Sequence, residues 1–206
     1  MPVVPSSIRV YTIIALVLFV WLAVEVAAGR TADFDDRVRL SVHAHSSPEI
    51  SSVVRFLSNF GEPPVLIVLS AAATAALVAL RWKRAALLFV IAMVGGLVLD
   101  SSLKLAFHRA RPAASFFGTP MPDSYSFPSG HALLSVCFFG ALALAVSARV
   151  RSRAGRVAIW LAATLLAFWI GFSRVYLGVH FPTDVIAGYA VAGVWVAALA
   201  SFLRQY

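Results

Sequence analysis

The chain is short of charge. Of its 206 residues only 9 are Asp or Glu and 13% are charged, about half the share of a soluble globular domain. It also has a single cysteine, Cys137, so no disulfide can form within it and a disulfide-stapled scaffold is excluded. No fixed-period repeat, low-complexity tract or lipidation signal is visible. What is abundant is apolar: 61% of the residues, with a mean hydropathy of +0.88. That excludes a disordered chain. It is also more apolar surface than so short a soluble chain could hide. The implied class is a polytopic membrane protein. The formal net charge of +8 raises nucleic acid as a partner. That would require the basic residues to gather on one soluble face, and they do not.

A bilayer core of about 30 Å needs roughly 20 apolar residues as a helix. Six segments approach this: Val10 to Ala28, Pro63 to Leu80, Ala85 to Phe107, His131 to Ala148, Val157 to Phe172, and Asp184 to Leu203. The expected fold is all-α, a six-transmembrane-helix bundle forming one domain over 1–206. The first span has a second reading as a signal peptide, with Arg9 as its charged start and Val26-Ala27-Ala28 as a small-residue cleavage site. Basic residues in short loops set orientation. Arg81, Lys83 and Arg84 follow span two, and Arg149, Arg151, Arg153 and Arg156 follow span four. These links are expected to be cytoplasmic, with both termini, in agreement with Arg9 and Arg204. The links from Gly29 to Glu62, His108 to Gly130 and Ser173 to Thr183 then face outward. In the first of them Val53, Phe56, Leu57 and Phe60 recur on one helical face. This predicts a short helix in the membrane interface, or one packed on the bundle.

Polar residues at span ends are costly and require an account. They concentrate in Lys104 to Pro112, in Phe127-Pro128-Ser129-Gly130-His131, and in Ser173-Arg174 through His180 to Asp184. An up-down bundle brings all three stretches to one membrane face. Lys104 and Arg111 are seven apart, about two turns, and are expected to share a helix face before Pro112 stops it. Arg174 adds a planar fork suited to phosphate oxygens. A helix start at Ser129-Gly130 offers backbone N–H groups to an anion, and Ser129 can cap that helix or donate to the anion. His180 and Asp184 lie four apart, with Pro182 at a first helical position. The carboxylate can there orient the imidazole as in a triad, which suits His180 as nucleophile. His131, at a helix start, suits a general acid. No Asp/Glu cluster of the Mg²⁺-holding kind lies at this face. The expected chemistry therefore uses no metal and no cofactor, and the cations stabilise the charge. Arg109 reads as an interfacial residue, Asp100 as an intrahelical partner of Lys104, and Cys137 as packing.

Lys104-x6-Arg111-Pro112, Pro128-Ser129-Gly130-His131 and Ser173-Arg174-x5-His180-x3-Asp184 resemble the three signature motifs of the type 2 phosphatidic acid phosphatase superfamily. All three are complete and in order. The resemblance implies a membrane phosphatase with an extracytoplasmic site. It implies that His180 forms a phosphohistidine, oriented by Asp184, while His131 protonates the leaving group and then activates water. Lys104, Arg111 and Arg174 would clamp the phosphate, with Ser129 and Gly130 adding hydrogen bonds. Implied substrates are lipid phosphates such as undecaprenyl pyrophosphate, phosphatidylglycerophosphate and phosphatidic acid, met in a bacterial plasma membrane, with membrane lipids as the other partners. A transporter or channel for anionic lipid or phosphate is the alternative, but it needs no histidine pair. Vanadate-dependent halide oxidation, a second rival with a similar pocket, suits a lipid-embedded site poorly.

Overall fold

The structure is a computed structural model that describes residues 6–203, and among these it shows eight α-helices and no strand. The helices are α1 (Ser6–Ala27), α2 (Ala32–Ala44), α3 (Pro48–Asn59), α4 (Pro63–Ala79), α5 (Lys83–Phe107), α6 (Gly130–Ser147), α7 (Arg153–Tyr176) and α8 (Pro182–Leu203). Five of them, α1, α5, α6, α7 and α8, are long and apolar enough to cross a membrane, and the pair α3 and α4, bent by 54°, makes a sixth candidate if it counts as one broken span. Arg204 lies outside the described residues. Ile13 (60% exposed), Ile67 (69%) and Leu105 (65%) lie on the outside of the bundle, where only lipid could cover them.

α6 is the central helix and packs on α5, α7 and α8. Its buried positions include Ala132, Gly140, Ala141, Ala143 and Ala145, and small residues let backbones approach closely where no water drives association. Two glycines of α5 show how close the approach is. A Cβ on Gly96 would lie 2.7 Å from Cys137 Sγ, and one on Gly95 would overlap the Trp195 ring. Cys137 is fully buried, in packing as expected. α1 packs on α8 and buries Leu22, Ala23 and Val26 beside Phe127 and Ala187, so it is a member of the bundle.

Three elements differ from expectation. The fifth span runs on to Tyr176, so Ser173 and Arg174 sit in its last helical turn and not in a link. Packing of α7 on α3 covers that turn, and a Tyr176–Ser51 hydroxyl contact of 3.0 Å ties the two helices. α5 ends at Phe107, because His108 adopts a left-handed conformation (φ 47°) as C-cap. Lys104 and Arg111 therefore do not share a helix face. The first outer link holds two helices where one was expected. In α3, Ser51, Val54 and Ser58 face the bundle, while Val53 and Phe56 point outward. α3 is thus packed on the bundle through Ser51, Val54 and Ser58, with Val53 and Phe56 of its apolar stripe left exposed.

Candidate active site

The ends of α5 and α7, the starts of α6 and α8, and the α3–α4 break meet at one end of the bundle. His180 lies in the short turn before Pro182, the first residue of α8. It is 2% exposed and its Nδ1 is 3.3 Å from Asp184 Oδ2. Its Nε2 is 3.0 Å from Arg111 Nη1. A guanidinium only donates, so Nε2 presents its lone pair and the proton sits on Nδ1, toward Asp184. Burial drives the imidazole down to about 3, against the pull of Asp184, so the ring is neutral. Arg111 is carried by the loop beyond α5. Its Nη1 donates to Val179 O (2.8 Å) and its Nε to Ser124 O (2.6 Å). Those carbonyls do what a shared helix face was expected to do.

Asp184 is fully buried and its carboxylate is heavily supplied with donors. Ser126 Oγ (2.5 Å), Phe181 N (3.0 Å) and Arg109 Nη1 (2.5 Å) all donate to it. Arg109 is therefore not an interfacial residue. Its other arm donates to Asp35 Oδ2 at 2.7 Å and to Thr31 Oγ1 at 3.2 Å, and its guanidinium stacks on Phe181 at 4.4 Å. Asp35, on α2, is also fully buried, and it accepts from Thr183 N (3.0 Å) and Thr183 Oγ1 (2.8 Å). A carboxylate from one helix thus caps the N-terminus of another. Sequence reasoning missed Arg109, Asp35 and Thr183. A visible signal for α2 was Thr31 ahead of Asp33 and Asp35, an acid-rich helix start.

The remaining cations are each fixed by a carboxylate. Lys104 donates to Asp100 Oδ2 at 2.8 Å, the intrahelical pair expected. Arg174 Nη1 donates to Ser58 Oγ (2.7 Å) and lies 3.3 Å from Glu62 Oε1. The same Glu62 oxygen is 3.3 Å from His131 Nε2, which makes no hydrogen bond, so Glu62, in the break before α4, lies between a cation and a histidine. It too went unread. Ser129 is the N-cap residue of α6, but its side chain caps nothing, and its buried Oγ has no hydrogen-bond partner. Arg174 Nε is likewise buried and unpaired. Gly130 sits against the Lys104–Asp100 pair: a Cβ there would lie 3.1 Å from Lys104 Nζ. The structure thus gathers His180, Asp184 and Arg111 on one side and Lys104, Gly130, His131 and Arg174 around the start of α6 and the end of α7. Buried donors left unpaired are rare in native proteins and call for an acceptor.

Comparison with known proteins agrees with this architecture. The sequence profile of the PAP2 superfamily matches residues 85–205. An undecaprenyl-diphosphatase of Sulfolobus acidocaldarius is 28% identical over 198 residues, covering 93% of this chain and 90% of that protein. A phosphatidylglycerophosphatase B of Bacillus subtilis is 27% identical over 175 residues, covering 84% and 85%. In three dimensions, the crystal structure of a transmembrane PAP2-type phosphatidylglycerolphosphate phosphatase from Bacillus subtilis superposes with a TM-score of 0.86. It covers 94% of this chain and 96% of that one at 24% identity, a likeness of fold.

Removing one partner of a buried ion pair leaves an uncompensated charge, at a cost of about 3–5 kcal/mol. Asp35→Ala is expected to lower unfolding stability in detergent by that amount, because it strips both Arg109 and the start of α8. Asp35→Asn keeps an acceptor for Thr183 N and loses less. Thermal unfolding of the two variants beside the wild type checks this, and an unchanged melting temperature in Asp35→Ala overturns it.

Proposed function

The chain belongs to the PAP2 superfamily, and on that premise we propose that it is a multi-pass lipid phosphatase working through a phosphohistidine on His180, without a metal. The substrates are lipid phosphates or pyrophosphates of the kind named for its relatives, undecaprenyl pyrophosphate and phosphatidylglycerophosphate, together with phosphatidic acid. The whole chain, 1–206, acts as one domain. One observation carries the reading: a neutral imidazole, proton held toward Asp184, presents its Nε2 lone pair beside Arg111, at the bundle end where Lys104, Arg174 and His131 also lie. A transport pathway requires no such nucleophile.

The lipid headgroup enters with its phosphate against Arg111, which moves its Nη1 contact from His180 Nε2 to a phosphate oxygen. Lys104 adds charge. Ser129 Oγ and Arg174 Nε, buried and unpaired, donate to the remaining oxygens. The lone pair of His180 Nε2 attacks phosphorus, and the bond to the lipid-side oxygen breaks. His131, which takes up a proton as the anionic headgroup binds, gives that proton to the oxygen, with the Glu62 carboxylate 3.3 Å from its ring. Asp184 compensates the positive charge that develops on His180. Water then gives a proton to His131 and attacks phosphorus, the P–N bond breaks, and phosphate leaves with His180 neutral again. The fixed cations and the α6 N-terminus stabilise charge on the transferring group. Arg81, Lys83 and Arg84, with the arginines from Arg149 to Arg156, sit at the opposite end of the bundle and are read as cytoplasmic. The site then faces outward from a bacterial plasma membrane.

His180→Ala should abolish phosphate release from all three lipids, while the wild-type protein keeps its activity in EDTA and loses it in vanadate. Activity that survives His180→Ala, or that EDTA abolishes, sinks the proposal. The pH dependence has a defined sign. With its pKa held near 3 by burial, His180 stays unprotonated and nucleophilic well below pH 6, and kcat/KM reports free-enzyme ionisations. Corrected for substrate ionisation, its acid limb belongs below about pH 5. A limb near 6.5 would contradict a buried neutral nucleophile. For sidedness, a cysteine at Asp123 should react with an impermeant thiol reagent in intact cells, and one at Arg151 should not. The reverse pattern inverts the topology.

A further inference from the structure

A large cavity of the bundle lies at the end away from the candidate active site. It is a groove of about 1370 Å³ between α6, α7 and α8, with Tyr11 of α1 at its edge. Its mouth is lined by Arg84, Arg149, Arg153 and Arg156, and its walls include Leu144, Val157, Trp160 and Gly193. A second hollow of about 310 Å³ shares Val136, Gly140, Trp160 and Thr164 with it, and extends it to Phe168 and Tyr189. From Arg156 to Phe168 a helix rises about 18 Å. That matches one leaflet of a hydrocarbon core about 30 Å thick. The volume exceeds the roughly 300–1,000 Å³ of a small-molecule pocket. α6, 18 residues long, separates this mouth from His131 by about 27 Å, and neither hollow is lined by His131, Arg174, His180 or Asp184.

Charge says what fills it. Every one of the 9 acidic residues of the chain, from Glu25 to Asp184, belongs to the outer links or to the site half of a span. Among the described residues no carboxylate lines the groove. Arg149 is held by a bond to Ala145 O (2.6 Å) and lies over the Trp82 ring at 3.7 Å, and Arg156 is held by the carbonyls of Val150 and Arg151 (3.2 Å each). These contacts fix the guanidiniums and leave their charge uncompensated. The mouth also lies at the start of α7, a positive helix end. Basic pockets between spans take the headgroups of anionic lipids.

We propose that this groove binds one anionic phospholipid of the leaflet opposite the active site. Arg153, Arg156 and Arg149 hold its phosphodiester, and an acyl chain runs along α7 past Gly193 and Trp160 toward Tyr189. A phosphodiester lipid offers no terminal phosphate to the site at the other end, so the two sites differ in ligand.

The test uses the full chain in detergent with dioleoyl phosphatidylglycerol or dioleoyl phosphatidylcholine added, read by native mass spectrometry and thermal unfolding. Phosphatidylglycerol should remain bound at about one molecule per chain and raise the melting temperature. Phosphatidylcholine, with the same chains, should do neither. Arg153→Gln with Arg156→Gln should cut phosphatidylglycerol retention at least tenfold. Gly193→Leu offers a second route, because a Cβ there meets nothing within 4 Å, so the side chain fills the groove and leaves the arginines intact. It too should lose retention. Both variants should release phosphate from a short-chain lipid phosphate within twofold of wild type. Equal retention of both lipids, or full phosphatidylglycerol retention in Gly193→Leu, overturns the proposal. If the arginine variant fails to fold, Gly193→Leu decides alone.

Discussion

One guanidinium ties α2 to the first turn of α8 at the candidate-site end of the bundle. Arg109 donates to Asp184 with one arm and to Asp35 with the other, and both carboxylates are fully buried. Two carboxylates out of water cost several kcal/mol each unless they are paired and hydrogen-bonded, and here nearly every oxygen has a donor. Thr183 supplies its N–H and hydroxyl to Asp35, and Ser126 and Phe181 N supply Asp184. The consequence is positional. The first turn of α8 cannot move without breaking the Asp35 cap, and His180 is tethered to that turn through Asp184. Arg109 and Asp35 reach His180 only through Asp184.

The spans were legible because lipid removes ambiguity. A helix is the only open-chain way to satisfy the backbone in hydrocarbon, so runs such as Ala85 to Phe107 and His131 to Ala148 reappear nearly to the residue as α5 and α6. The motif residues were legible because charged groups at span ends are expensive and stand out. What could not be read depends on contacts distant in sequence. α2 is a polar helix whose buried residue is an aspartate, so no hydrophobic period announces it. It is held by Asp35 on Thr183, 148 residues away. The position of Arg111 was misread because spacing alone suggests a continuing helix, whereas the left-handed His108 ends it and carbonyls of Val179 and Ser124 hold the guanidinium. Arg109 was undervalued because its pairs came from Asp35 and Asp184, each more than seventy residues away.

The distribution of acids separates two uses of positive charge. At the reacting end, cations that need a fixed geometry have a carboxylate beside them: Lys104 has Asp100, Arg174 has Glu62, and Arg109 has Asp35 and Asp184. At the opposite end Arg149 and Arg156 lean on carbonyls and a ring instead. Arg111 is the informative exception. It sits among the paired cations, yet its hydrogen bonds go to three carbonyls, a serine hydroxyl and His180. A cation fixed by neutral acceptors is positioned without being neutralised. Of the three basic motif residues it is the one that, among the described residues, makes no ion pair, and it lies directly beside the lone pair of His180 Nε2.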